Sequence, residues 1–210
     1  MTNREKERFC AFAALLVAPP DGAIVDELRQ EDLRSLIEGH VRRWEGDTRS
    51  ASFFIREESG GALLTALQEE YARLFGQWEG EKISLVESTY KAWTGDKTCG
   101  MVFSASRGLL MGDCALHMNE LYRRLSLEVP EAFRGTPDHL ALELEFLALL
   151  YRSASDAQIE QFIGDHLDWL PDLKEALEKT VPHPFYSSAV ELIHLFLLNE
   201  TNNGKVKHHG

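Results

Sequence analysis

Apolar residues return every three or four positions along almost the whole chain, and no run alternates apolar with polar as a strand ladder would. That spacing gathers side chains on one stripe of a helix, and the stripe must be buried against another element. In FCAFAALLVA, residues 9–18, Phe9, Phe12, Ala13, Leu16 and Val17 fall on one face. The stretch follows Arg4, Lys6 and Arg8 and imitates a secretion signal. Glu5 and Glu7 interrupt its basic lead and Pro19-Pro20 follows directly, so a first core helix is expected. A second helix carries Ile24, Leu28, Leu36, Ile37, Val41 and Trp44, and a polar stretch from Gly46 to Ser52 breaks it. Phe53-Phe54-Ile55 is short and ambiguous. A third helix presents Leu63, Leu67, Tyr71, Leu74 and Phe75 and stops at Gly76.

Residues 77–97 are mixed and loop-like. A helix is expected from about Arg107 to Ser126, with Leu109, Leu116, Leu121, Tyr122 and Leu125 inward. VPEAFRGTP, residues 129–137, holds two Pro, one Gly and no apolar period, which makes it a hinge by composition. Helices then follow over GTPDHLALELEFLALL (135–150), 156–170, 172–180 and 186–199. Pro171 separates two of them, because proline has no N–H to donate and clashes inside a helix. VPHP, residues 181–184, separates the last pair. The expected architecture is one all-α helical domain over residues 1–200. Two lobes, about 1–126 and 138–200, would be joined by a hinge near 127–137. A polar tail, 201–210, would end in His208-His209 and fray.

With 210 residues, 44% of them hydrophobic and 27% charged, the chain has an ordinary globular composition. Lys and Arg number 22 against 34 Asp and Glu, a formal net charge of −12. This excludes the basic footprint of a nucleic-acid binder and suits a basic partner. Cys10, Cys99 and Cys114 are odd in number and form no CxxC, which fits free thiols in a reducing compartment. No apolar run reaches the length of a membrane span, so no stable membrane insertion is expected.

The entrance of the 135–150 helix concentrates the ionisable groups. Thr136 suits an N-cap, Pro137 a first helical position, and Asp138 a first turn, where a carboxylate complements the helix dipole. His139 has no place in that scheme. Glu143 and Glu145 lie two residues apart and point to different faces, so they are no acid–base pair, and either one needs a partner if it is buried. There is no HExxH, no P-loop, no GxGxxG and no GxSxG. No metal ligand set and no catalytic set are therefore expected, and His166 beside Asp165 reads as a structural residue.

Four blocks, in order, resemble one family. They are YARLFG with VESTY (71–76 and 86–90), GLLMGD (108–113), GTPDHLALELEFLALL, and HLDWLPDLKEAL (166–177) with HPFYSSAVEL (183–192). The chain resembles the TorD/DmsD/NarJ-type chaperones that mature molybdenum-containing redox enzymes. The resemblance implies an all-helical cytoplasmic chaperone and no enzyme. Such a chaperone binds the twin-arginine signal peptide or another N-terminal segment of a molybdoenzyme catalytic subunit of the DMSO-reductase type. It protects the apoenzyme and assists cofactor insertion before export. It carries no cofactor of its own; weak guanine-nucleotide binding, reported for some members, finds no P-loop here. Two sequence departures stand out: Gly76 is followed by Gln77 where the family often has Gly-Pro, and Ser84-Leu85-Val86 replaces a Pro-Pro-Trp-like element.

By the same resemblance, Asp138, Glu87 and Glu143 would form an acidic rim for a client arginine, beside Pro137, His139 and Ser88. Tyr71, Leu74, Phe75, Gly76, Tyr90, Trp93 and Tyr122 would supply the apolar wall. His139 would give binding a pH dependence between about 5.5 and 7.5. A homodimer by helix exchange at the hinge is a further expectation. Two alternatives stay open: a chaperone for a redox-enzyme subunit that is not exported, and a small helical nucleotide hydrolase using Asp138, His139 and Glu143.

Overall fold

The computed structural model describes residues 1–44, 60–76, 83–180 and 184–207. The expected polar break at 46–52, Phe53-Phe54-Ile55, the start of the 77–97 stretch and most of VPHP lie outside the described residues. Nine α-helices run through the rest: α1 Asn3–Val17, α2 Gly22–Leu28, α3 Glu31–Arg43, α4 Gly60–Phe75, α5 Asp113–Arg124, α6 Leu140–Ser153, α7 Asp156–His166, α8 Leu170–Lys179 and α9 Pro184–Lys207. The described residues contain no strand, only one isolated antiparallel bridge between Val86 and His139. The all-α expectation holds.

Helix α1 starts at a capping box, in which Thr2 accepts from the Glu5 N–H while the Glu5 side chain accepts from the Thr2 N–H. Its stripe of Phe9, Phe12, Ala13, Leu16 and Val17 is buried as the periodicity predicts. It packs mainly along α6 and also against α9. Phe9 stacks on Phe196 with ring centroids 4.4 Å apart. Lys6 and Tyr151 both bind the Glu200 carboxylate, at 2.5 and 2.8 Å, which fastens α1, α6 and α9 together. One apolar core is continuous from Phe9 to Leu197.

Several expected boundaries move; α7 ends at His166, and Pro171 lies in the first turn of α8 instead of separating the two helices. The second helix is two helices, α2 and α3, parted at Arg29-Gln30. Glu31 and Asp32 occupy the first turn of α3, where acids favour a helix start. The 107–126 helix begins only at Asp113. Before it, Gly108 and Met111 take positive φ (83° and 58°), which no helix accommodates. Its buried face is Ala115, Met118 and Tyr122, with Leu121 half-buried against the core; Tyr122 and Leu121 are inward as expected, while Leu109, Leu116 and Leu125 are exposed. The last helix passes the expected end at Asn199 and runs to Lys207.

Helix α6 also starts late. Neither Thr136 nor Pro137 begins it; the N-cap is His139, whose Nδ1 accepts from the Ala141 N–H at 3.1 Å. The cause is the bridge. The Glu87 N–H donates to the Asp138 carbonyl at 3.0 Å and the Leu140 N–H donates to the Leu85 carbonyl at 2.8 Å. Backbone committed to that pairing is extended and cannot be helical. The residue that the capping scheme left unexplained is the cap itself.

Candidate functional site

The bridge brings the 83–90 segment against the start of α6, and their carboxyl groups meet inside the protein. Asp138, Glu87 and Glu143 are each fully buried. One Asp138 oxygen accepts from the Ser88 N–H at 2.7 Å and from the Ser88 hydroxyl. Burial raises the Asp138 pKa, with the Ser88 bonds pulling the other way. Glu87 sits 2.9 Å from His166 Nδ1 and 2.7 Å from Lys91 Nζ. Burial pushes Glu87 up, but the hydrogen bonds and charges of His166 and Lys91 outweigh it and hold the carboxyl below the usual range. Lys91 also reaches Asp168 at 2.5 Å and the Asp165 carbonyl at 2.8 Å, which ties the 83–91 segment to the end of α7.

Glu143 has the opposite state. Burial, with the charges of Glu87 and Asp138 adding, holds its carboxyl well above the usual range. That direction favours the protonated carboxyl beside Glu87, and the Trp169 indole donates to Glu143 at 3.3 Å. A polar chain leads outward from this point: Glu143, Glu87, His166, then His117 at 2.8 Å from His166 Nε2, on the exposed side of α5. Burial, with the charge of His166, lowers the His117 pKa. Burial also pushes Cys114 up to about 12, with the neighbouring Glu87 adding, so this thiol is no ready nucleophile.

The structure thus unites seven of the expected site residues. Glu87, Ser88, Asp138, His139 and Glu143 form the buried knot, Tyr122 donates to the Pro137 carbonyl at 3.1 Å, and Pro137 leads into the bridge. Tyr90 borders the knot, stacked on Trp169 with ring centroids 4.9 Å apart. Trp93 lies farther along the loop against Phe103, and the Gly112 backbone passes so close to it that a Cβ there would meet the Trp93 carbonyl at 2.6 Å. Tyr71 and Phe75 pack with Tyr186 at the end of α4, beside the buried Leu74 and the half-buried Gly76.

Two expectations need correction. Asp138, Glu87 and Glu143 are interior groups, so they form no exposed acidic rim; the bridge and the Ser88 and His166 bonds draw them inward. Burial also drives His139 down to about 4, which moves its titration out of the 5.5–7.5 range. Sequence reasoning passed over His166 and Lys91. An acid–His order at Asp165-His166 was visible, but the partner Glu87 lies 79 residues away. Glu87, Glu143 and His166 offer donor atoms within 4.8 Å of one another, the geometry of a metal ligand set. Here the Lys91 ammonium already pairs with Glu87. A hydrolase would need Asp138, His139 and Glu143 open to water, and all three are enclosed.

A family model described as nitrate reductase delta subunit matches residues 43–182, two thirds of the chain, and spans the whole of this knot. The chain belongs to that family. The TorD/NarJ resemblance is thereby shown, and curated relatives agree with it. "Chaperone protein TorD" of Vibrio cholerae serotype O1 (strain M66-2) is 34% identical over 105 residues, covering 44% of this chain and 48% of the relative. "Chaperone protein TorD" of Vibrio vulnificus (strain YJ016) is 28% identical over 113 residues, covering 48% and 53%. The chain spans about half the length of the curated relatives it matches. Those relatives are named as chaperones, in accord with the expectation of a non-enzyme. No helix among the described residues is long and apolar enough to cross a membrane.

Proposed function

We propose that this protein is a cytoplasmic maturation chaperone for a redox enzyme. Its client is a molybdoenzyme catalytic subunit of the DMSO-reductase type, bound through its twin-arginine signal peptide or another N-terminal segment until the cofactor is in place. The observation that carries this reading is membership of a family whose curated relatives are named as chaperones. The site residues divide the work. Tyr71, Phe75, Tyr90 and Trp93 offer half-buried aromatic surface to a client, while Glu87, Ser88, Asp138, His139 and Glu143 fix the loop that carries Tyr90 and Trp93. The formal charge of −12 favours encounter with a cationic segment.

Calorimetric titration with a twin-arginine signal peptide, then with its twin-lysine version, tests the reading. Lysine keeps the charge and loses the planar fork, so selective binding of the arginine form at micromolar affinity or tighter is expected. Equal binding of an unrelated basic peptide would reduce the effect to bulk charge. The family description, a reductase's delta subunit, favours a second reading in which the client is not exported. Co-purification of a redox-enzyme subunit without binding to any signal peptide would select it.

A further inference from the structure

Away from the buried knot, α1, α6 and the segment after α5 enclose an open groove of about 400 Å³. That is the size of a pocket for a few side chains, not for a folded domain. Its floor is apolar: Leu142, Phe146 and Leu149 from α6. Leu127, Val129 and Pro130 form the facing wall, and Leu127 is 40% exposed. Three carboxyl groups line the same groove, Glu7, Glu128 and Glu145, against one cation, Arg152. Arg152 is already engaged, with its Nε 3.0 Å from Glu7. Glu128 and Glu145 have no cationic partner among the described residues. Burial against the groove raises the Glu145 pKa and no neighbour offsets it. An apolar surface bordered by two uncompensated carboxyl groups is complementary to a segment with the reverse chemistry.

We propose that this groove docks an extended client segment in which one or two basic side chains adjoin a short apolar run. The apolar side chains lie between the Leu127–Pro130 wall and the α6 floor, and the basic head pairs with Glu145 and Glu128. The inference rests on the chaperone reading and names a surface for it that is separate from the Tyr90 and Trp93 face. Glu145 leaves α6 on the side opposite Glu143, so a ligand in the groove would touch the helix that anchors the knot without entering the knot.

The test uses a fluorescein-labelled peptide with two arginines followed by an apolar stretch, titrated by anisotropy into the full chain at two salt concentrations. The Glu128→Gln/Glu145→Gln double variant should bind about tenfold more weakly and lose most of the salt dependence, while melting as the wild type does. The Glu145 carboxyl, followed by NMR, should titrate lower when the peptide is bound. If the double variant binds as tightly as wild type and Tyr90→Phe or Trp93→Ala weakens binding instead, the groove is overturned and the chaperone reading stands. If the wild type does not bind the peptide, both the groove and the signal-segment part of that reading fall.

Discussion

Glu143 and Glu145 stand two residues apart on α6 and live in different solvents. Glu143 is turned into the core, where burial and the neighbouring charges of Glu87 and Asp138 favour its protonated form. Glu145 is turned onto the α1–α6 groove, exposed and without a counter-ion among the described residues. A two-residue step on a helix is more than half a turn, which suffices to place one carboxyl in each environment. The comparison separates two uses of acid in one protein. Inside, carboxyl groups are engaged by Ser88, His166, Lys91 and Trp169, and they hold a loop to a helix. On the groove, Glu128 and Glu145 have no cationic partner among the described residues, and a cation from elsewhere can complete them.

The largest expected effect lies on the interior side. Glu87→Ala removes the partner of two groups, His166 and Lys91, of which His166 is almost wholly buried. Breaking a buried charged contact by deleting one side costs about 3–5 kcal/mol, and equilibrium urea unfolding should read a loss of that order. Asp138→Ala comes next. It strands the buried Ser88 N–H and hydroxyl, at a cost of about 1–3 kcal/mol, whereas Asp138→Asn keeps an acceptor and should lose less. A mere helix-start role for Asp138 would have made both changes small. Retained full stability in Asp138→Ala would mean that the knot contributes nothing to holding the 83–90 segment.

His139 tests the same boundary through pH. Its folded pKa, about 4, lies below the ordinary histidine value of 6.5. The neutral ring therefore contributes stability that is complete above about pH 6.5 and is lost as pH falls through 4. His139→Asn keeps an N-cap acceptor and cannot titrate, so it should hold stability near pH 7 within about 1 kcal/mol and flatten the acid limb. An acid limb unchanged in that variant would assign it to other groups.

Much of this was legible in the chain. The apolar stripe of α1 and the stripe of α4 follow directly from spacing, because a helix buries what its period lines up. The opposed faces of Glu143 and Glu145 were legible for the same reason. The face of α5 was legible only in part: Leu121 and Tyr122 turn inward as expected, but small and flexible residues, Ala115 and Met118, fill the core while Leu116 and Leu125 stay outside. The knot was half legible. Its acids stood out by type, but their inward direction depends on a bridge between residues 86 and 139, and no local pattern encodes a pairing across 53 positions. The late start of α6 has the same origin.

The most direct test of the division is a matched pair, Glu143→Gln and Glu145→Gln, each measured for thermal stability across pH and for affinity toward the arginine-bearing apolar peptide. A carboxyl held neutral in the fold takes up its proton more readily folded than unfolded. Its contribution is therefore present at low pH and lost as pH rises above about 4.5, the ordinary glutamate value. Glutamine keeps a donor for Glu87 and an acceptor for the Trp169 indole. Glu143→Gln should thus stay within about 1 kcal/mol of wild type at pH 5, fall less steeply as pH rises, and bind the peptide normally. Glu145→Gln should melt as wild type and bind the peptide several-fold more weakly. The reverse pattern, with peptide affinity lost in Glu143→Gln and untouched in Glu145→Gln, would contradict the assignment of the inner acid to structure and the outer one to recognition.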